Sequence, residues 1–281
     1  MIGLTTNTDF GVPYNISKPE DATAASRSMA FAFGWYVDPI VFGRYPEEMT
    51  DLVTDGRLPT FTPEESEMIK GSLDFIGLNH YTSGYIMDDP DGKGGEWFTD
   101  SRTKGTKIGI DGKLIGPQAE SPWLQVYPKG IRGLLNWIDK RYNNALIYVF
   151  ENGVSVPNEN QMKVSEAVHD NFRIDYYKGY IQNALDAITL DGVNLGAYFG
   201  WSLMDNFEWA DGYSTRFGMT YVDYQNNQQR YIKDSIIWYS QFTRQAVTNP
   251  NVNFSFSHDF DTLAKRDVSS IAAQQSLLAT Q

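Results

Sequence analysis

Two carboxylates stand out by the company they keep. Glu151 ends the run LIYVFEN (residues 146–152), in which five apolar or aromatic residues lead to an acid and then to Asn152-Gly153. Glu208 lies in GWSLMDNFEWADGYSTRFGMTYVDY (residues 200–224). There Trp201, Phe207, Trp209, Tyr213 and Phe217 are interleaved with Asp205, Asn206, Glu208 and Asp211. Aromatic faces pack against the C–H faces of sugar rings, and carboxylates and amides bond the hydroxyls around the ring edge. The plainer alternative for residues 200–224 is a core segment whose polar groups are all satisfied. Two tryptophans flanking a glutamate favour the ligand-facing reading. For Glu151 the open question is which second group it works with.

Other chemistries lack their signatures. The three histidines, His80, His169 and His258, are dispersed, and His-Glu-x-x-His does not occur. No Gly-x-Ser-x-Gly elbow, Gly-x-Gly-x-x-Gly turn or phosphate loop is present, so metal, serine-hydrolase and nucleotide chemistry have no support. A formal net charge of −12 argues against a nucleic-acid partner and is compatible with neutral ligands. Cysteine is absent, which removes disulfides and thiolate metal sites and fits a reducing compartment such as the cytoplasm without fixing it. No apolar run is long enough to cross a membrane, and MIGLTTNTDFG lacks the pattern of a signal peptide.

The elements that must position these groups read as alternating strands and helices. IGLTTN, LDFIGLNHY, LIYVFEN and NLGAYFGWSLMD are short, mostly apolar runs ending in polar or aromatic residues. They predict parallel strands near residues 2–7, 74–80, 146–151 and 195–201, with both faces buried. Helical patterns lie between them, over residues 22–36, from Pro128 onward (Ile131, Leu134, Leu135, Ile138, Tyr142) and over 165–190 (Tyr176, Tyr180, Ala184 beside Tyr177, Ile181, Leu185). Strand–helix alternation predicts βα units on a parallel sheet, with active groups at the C-terminal strand ends. Asn7, Asn79, Tyr81, Glu151 and Trp201 all fall at such ends. Residues 84–122, rich in Gly, Pro and Asp, read as rim loops or hairpins. Residues 217–224 and 230–232 read as one further hairpin. Residues 246–281 have the composition of a disordered tail.

YVFENGVS, WSLMDNFEWADGYSTRFGMTYVDY, LDFIGLNHYTS and DPIVFGRYP together resemble glycoside hydrolase family 1, the β-glucosidase family, over residues 2–245. The resemblance implies a (β/α)8 barrel that hydrolyses β-glycosides with retention and needs neither metal nor organic cofactor. It also implies roles. Glu151 matches the nucleophile, and Tyr81 the tyrosine whose hydroxyl bonds it. Asn79 matches a polar residue lining the site, and Trp201 the floor under the sugar. Glu208 matches the residue gripping the sugar's 4- and 6-hydroxyls, with Trp209 beside it, and Phe217 and Trp123 match aromatic walls. The family more often has Tyr where this chain has His80, a side chain that points to the other face of its strand. A carboxylate at Glu208 would repel a sugar phosphate, so the expected ligand is unphosphorylated.

Retention requires two carboxyl groups about 5–5.5 Å apart. The family draws its acid/base from an Asn-Glu-Pro motif on the fourth strand, and this sequence contains none; Asn158-Glu159-Asn160 lies in the wrong context. Residues 2–7 resemble the family's fifth strand. The expected architecture is therefore the C-terminal half of a TIM barrel, four parallel βα units equivalent to strands five to eight, over residues 1–245. The expected partners are a β-glucoside or related neutral sugar and an N-terminal half-barrel chain supplying the acid/base. The alternative is a non-catalytic truncated remnant with weak or no sugar binding.

Overall fold

The computed structural model describes residues 1–248, so the expected tail at residues 246–281 falls, beyond its first three residues, outside the described residues. Along the chain, β1 (Gly3–Asn7) and β2 (Phe10–Pro13) lead into α1 (Pro19–Met29), a π-turn at Ala30–Gly34 and α2 (Trp35–Phe42). Then come α3 (Glu47–Leu52), α4 (Pro63–Ile69), β3 (Phe75–Asn79), β4 (Ser83–Asp88), α5 (Trp97–Asp100) and β5 (Thr103–Thr106). The remainder is α6 (Lys129–Arg141), β6 (Ile147–Glu151), α7 (Val164–Ala167), α8 (Asn171–Thr189), β7 (Leu195–Tyr198), β8 (Thr220–Asp223), β9 (Gln229–Ile232) and α9 (Asp234–Thr248).

Strands β1, β3, β6 and β7 form one sheet in that order, with every neighbouring pair parallel, as their apolar runs predict. Its outer face carries the core. Ile76, Leu78, Ile147 and Val149 are fully buried against Ile131, Leu134, Leu135 and Ile138 of α6 and Tyr176, Tyr177, Tyr180 and Ala184 of α8. These are the helical rows expected from the sequence.

The other face differs from the expectation of strands buried on both sides. Phe75, Tyr148, Phe150 and Phe199 form an aromatic ladder there, with centroids 4.8 Å apart for Phe75–Tyr148 and 5.6 Å for the parallel Phe150–Phe199 pair. The ladder is covered only in part, and Phe199 is 50% exposed. Among the described residues no second layer seals this concave face, so strands apolar on both sides end up buried on one.

Two smaller differences have local causes. The helix expected over residues 165–190 is split into α7 and α8. The Asp170 carboxylate, at the break, accepts bonds from the Ser235 amide (2.9 Å) and hydroxyl (2.6 Å), which fixes it outside either helix. Residues 84–122 hold a hairpin, as one of the two expected readings had it, but it is part of a larger sheet. β4 and β5 pair antiparallel, and β2 adds to β4 in parallel, making a second sheet against α1.

Candidate active site

Glu151 reaches the concave face through a bulge. Leu78 pairs with Val149, but the next pair is Asn79 with Glu151, so Phe150 is passed over. Side chains alternate along a strand, and one extra residue resets that alternation. Phe150 and Glu151 therefore both face inward, and Glu151 lies beside Asn79 at the C-terminal edge. The Tyr81 hydroxyl donates to Glu151 Oε2 at 2.5 Å. Burial, first, and then the bond to Glu151 raise the Tyr81 pKa far above that of a free phenol, so the hydroxyl keeps the proton it donates.

Gly153 fixes how the end of β6 meets the end of β7. A Cβ built there would stand 1.7 Å from the Trp201 carbonyl oxygen, so only glycine allows the two backbones to approach. Trp201 N–H donates to the Asn152 carbonyl at 2.8 Å, and the Trp201 carbonyl accepts from the Tyr177 hydroxyl at 2.9 Å. The Trp201–Ser202 peptide is cis. The Trp201 indole N–H points to Glu208 Oε1 at 3.3 Å. Burial raises the Glu208 pKa; the indole bond works against that rise and the nearby Glu151 charge adds to it. The two candidate carboxylates thus share one electrostatic environment.

Aromatic rings frame the pair. Trp123 and Phe217 lie nearly parallel, 6.4 Å apart, and each meets the Tyr81 ring edge-on, at 5.7 and 5.9 Å. Phe217 is buried and Trp123 is 47% exposed. Trp209 opens a 3₁₀ turn, Trp209–Asp211, closed by the Glu208 amide on the Gly212 carbonyl at 2.7 Å. It is 88% exposed at φ +44°, a backbone region that costs a non-glycine residue roughly 1–3 kcal/mol.

All eight sequence candidates are therefore accounted for. Tyr81, Glu151, Trp123 and Phe217 form one connected group. Trp201 and Glu208 form a second, joined to the first through Asn152 and the Glu151–Glu208 interaction. Asn79 borders Glu151, its buried Oδ1 without a hydrogen-bond partner among the described residues, and Trp209 stands beside Glu208, turned to solvent. His80 points the other way, as expected. It is fully buried, with Nδ1 3.0 Å from the Thr8 carbonyl. Burial drives its pKa down to about 4, against the Thr8 bond and with the help of Lys107.

Sequence reasoning missed what lies behind these groups. Glu159 of the rejected Asn-Glu-Asn stretch is buried, with one oxygen on Arg173 (2.7 Å) and the other on Lys233. Lys233 also bonds Asp205 (3.2 Å), Asp205 bonds Arg216 (2.5 Å), and Arg173 bonds Asp170. Three carboxylates and three cations thus form a closed buried set. It pins the loops after β6 and β7, and through Asp205 it holds the amides of Gly218 (3.0 Å) and Val222 (3.1 Å). Asn152 and the hydroxyls of Tyr176, Tyr180 and Tyr198 were missed too. The fourfold spacing of Tyr176 and Tyr180 marked a helix face, and spacing alone says nothing about where a hydroxyl points.

The comparisons with known proteins point to one family. The sequence profile of glycosyl hydrolase family 1 matches residues 1–247. Beta-glucosidase 16 of Arabidopsis thaliana is 46% identical over 250 residues, 89% of this chain and 48% of that protein. Beta-glucosidase 1B of Phanerodontia chrysosporium is 46% identical over 242 residues, 86% and 43% of the two chains. The GH1 beta-glucosidase of the fungus Humicola insolens, solved in complex with glucose, superposes with a TM-score of 0.82 at 43% identity, covering 86% of this chain and 50% of that one. The beta-glucosidase from Trichoderma harzianum gives 0.81 at 47% identity, over 86% and 51%. The chain spans about half the length of the curated relatives it matches.

Proposed function

Because the chain belongs to glycosyl hydrolase family 1, we propose that it supplies the nucleophile side of a retaining β-glucosidase site, with residues 1–245 providing four of a barrel's eight βα units. The observation that carries this reading is the 2.5 Å bond from the Tyr81 hydroxyl to Glu151 Oε2, set beside the Trp201–Glu208 pair. In this reading Glu151 attacks the anomeric carbon and forms a glycosyl-enzyme ester while the leaving group departs. Water then releases the sugar with its configuration retained. The Tyr81 hydroxyl aims Glu151, so the attacking oxygen is the one it leaves free. Trp201 stacks under the sugar ring. Glu208 accepts from the ring hydroxyls, with Trp209 at its side, and its charge disfavours a phosphorylated sugar. The unpartnered Asn79 Oδ1 is available to a hydroxyl donor. Trp123 and Phe217 wall the site next to Tyr81.

The second carboxyl, acting as acid and then base, comes in this reading from a polypeptide segment carrying the remaining strands. Residues 1–281 contain no Asn-Glu-Pro to supply it. General acid–base catalysis contributes typically ~10²–10⁴-fold, and lost positioning compounds that deficit. This chain alone should fail to hydrolyse cellobiose or alkyl glucosides. Adding a half-barrel chain with the Asn-Glu-Pro glutamate should restore hydrolysis, and Glu151→Gln should abolish it again. Restored activity that survives Glu151→Gln, with contamination excluded, would remove Glu151 from this role.

A further inference from the structure

Behind Tyr81 lies a hydrogen-bonded lattice that meets it at its backbone carbonyl. The Tyr176 and Tyr180 hydroxyls both donate to the Tyr81 carbonyl, at 2.8 and 3.0 Å. Their rings stack 4.0 Å apart, and both are completely buried on α8. The Tyr180 hydroxyl is oriented by the Tyr127 amide, which donates to it at 3.1 Å. The Tyr176 hydroxyl accepts from Asn152 Nδ2 at 2.9 Å, and the same amide group donates to the His80 carbonyl at 2.6 Å. The Tyr198 hydroxyl completes the chain by donating to Asn152 Oδ1.

Each bond has one sense. Protons point from Tyr198 to Asn152, from Asn152 to Tyr176, and from Tyr176 to the backbone of Tyr81, whose own hydroxyl points to Glu151. A buried hydroxyl costs roughly 1–3 kcal/mol when unsatisfied. A helix face needing only apolar bulk would be served better by Phe or Leu. Instead two hydroxyls converge on one carbonyl, filling both of its lone-pair directions. Burial raises the pKa of all three tyrosines, so each keeps its proton to donate.

We propose that Tyr176, locked by Asn152, and Tyr180, oriented by the Tyr127 amide, are positioning residues that fix the Tyr81 backbone and thereby hold its hydroxyl on Glu151. The importance of this device rests on the nucleophile reading of Glu151; the device itself does not. Hydrogen bonds weaken steeply with misalignment. Releasing the Tyr81 carbonyl should therefore weaken a contact made at the far end of the same residue.

The test reads Glu151 directly in the full chain, without turnover. A water-soluble carbodiimide with a small amine modifies carboxyl oxygens, and a hydrogen bond donated to such an oxygen lowers its reactivity and access. The modification rate of the Glu151 peptide is followed by mass spectrometry at one pH. Tyr81→Phe, which removes the donor, should raise that rate roughly tenfold or more. Tyr176→Phe/Tyr180→Phe, which touches neither Glu151 nor the Tyr81 hydroxyl, should raise it by a comparable factor. The two changes combined should exceed neither alone by much, because both act through one bond. Tyr142→Phe, which removes another buried hydroxyl bond, to Asp38 (2.7 Å), should leave the rate unchanged. Should the double variant fail to fold, Tyr176→Phe alone keeps the Tyr180 bond and should give a smaller rise. Parent rates in the folded double variant, or in Tyr176→Phe where only that folds, would overturn the proposal, as would a parent rate in Tyr81→Phe. None of these results bears on whether Glu151 is a glycosidase nucleophile, which the complementation experiment decides.

Discussion

His80 and Tyr81 show how one residue's step along the chain separates burial from chemistry: Tyr81 reaches Glu151, and His80 is buried. His80 is neutral in the fold, with a pKa near 4, while the unfolded imidazole titrates near 6.5. Between those values the unfolded chain binds a proton that the folded chain refuses, so stability falls as pH drops from 6.5 towards 4. The full effect is about 3 kcal/mol, at about 1.36 kcal/mol per pKa unit. Urea unfolding across this window should show the loss, and His80→Gln should flatten it; parallel curves for the two proteins would contradict the burial argument. Gly153→Ala tests the close approach to Trp201. The added methyl must push Trp201 away, at a cost of about 1–3 kcal/mol. Urea midpoints should record that cost, and a shift in tryptophan emission should accompany it. An unchanged midpoint would mean that the contact yields easily.

At the scale of elements, α8 and the loops it anchors depend on the buried charge set. Removing one member of a buried ion pair costs roughly 3–5 kcal/mol, because its partners remain charged and dry. Lys233→Met should lower stability by that order in urea and loosen the loop that carries Glu208 and Phe217. A change under about 1 kcal/mol would show that water compensates Glu159 and Asp205. This set also marks the limit of what the sequence discloses. The stripe of α6 and the tyrosine rows of α8 are legible because a period of 3.6 repeats within a few turns. The four parallel strands are legible because each run is apolar and ends in turn chemistry. The bulge at Phe150 is not, since nothing local distinguishes a passed-over residue from a paired one. The charge set is not, because Glu159 and Lys233 stand 74 residues apart and meet only after three loops have folded. At the site, motif identity picked out every candidate side chain, whereas the tyrosine hydroxyls and Asn152 behind them became visible only as geometry.

At the scale of the molecule, the four-stranded sheet has β1 and β7 as its edges and a half-covered aromatic ladder on its concave face. Gly3, Thr5 and Asn7 of β1 are exposed, so the edge presents backbone groups to solvent. Open edges and apolar patches recruit other chains. Light scattering on the purified chain should find species larger than a monomer, and a hydrophobic dye should bind until a complementary half-barrel is added. A single monomeric species with no dye binding would show that the ladder and edges are tolerated in water.

The six-charge set constrains how this sequence can drift. Any single exchange that neutralises one of Asp170, Arg173, Glu159, Asp205, Arg216 and Lys233 leaves an odd charge in a dry space, so such one-step neighbours in sequence space are poor. Viable alternatives are reached only by coupled changes, either swapping a pair or replacing several members with apolar groups of similar volume. A library randomising these six positions together, sorted for folded protein, should return correlated solutions and few singly altered ones. The region that holds the site's loops is thus sheltered from gradual change by a fitness valley on every side.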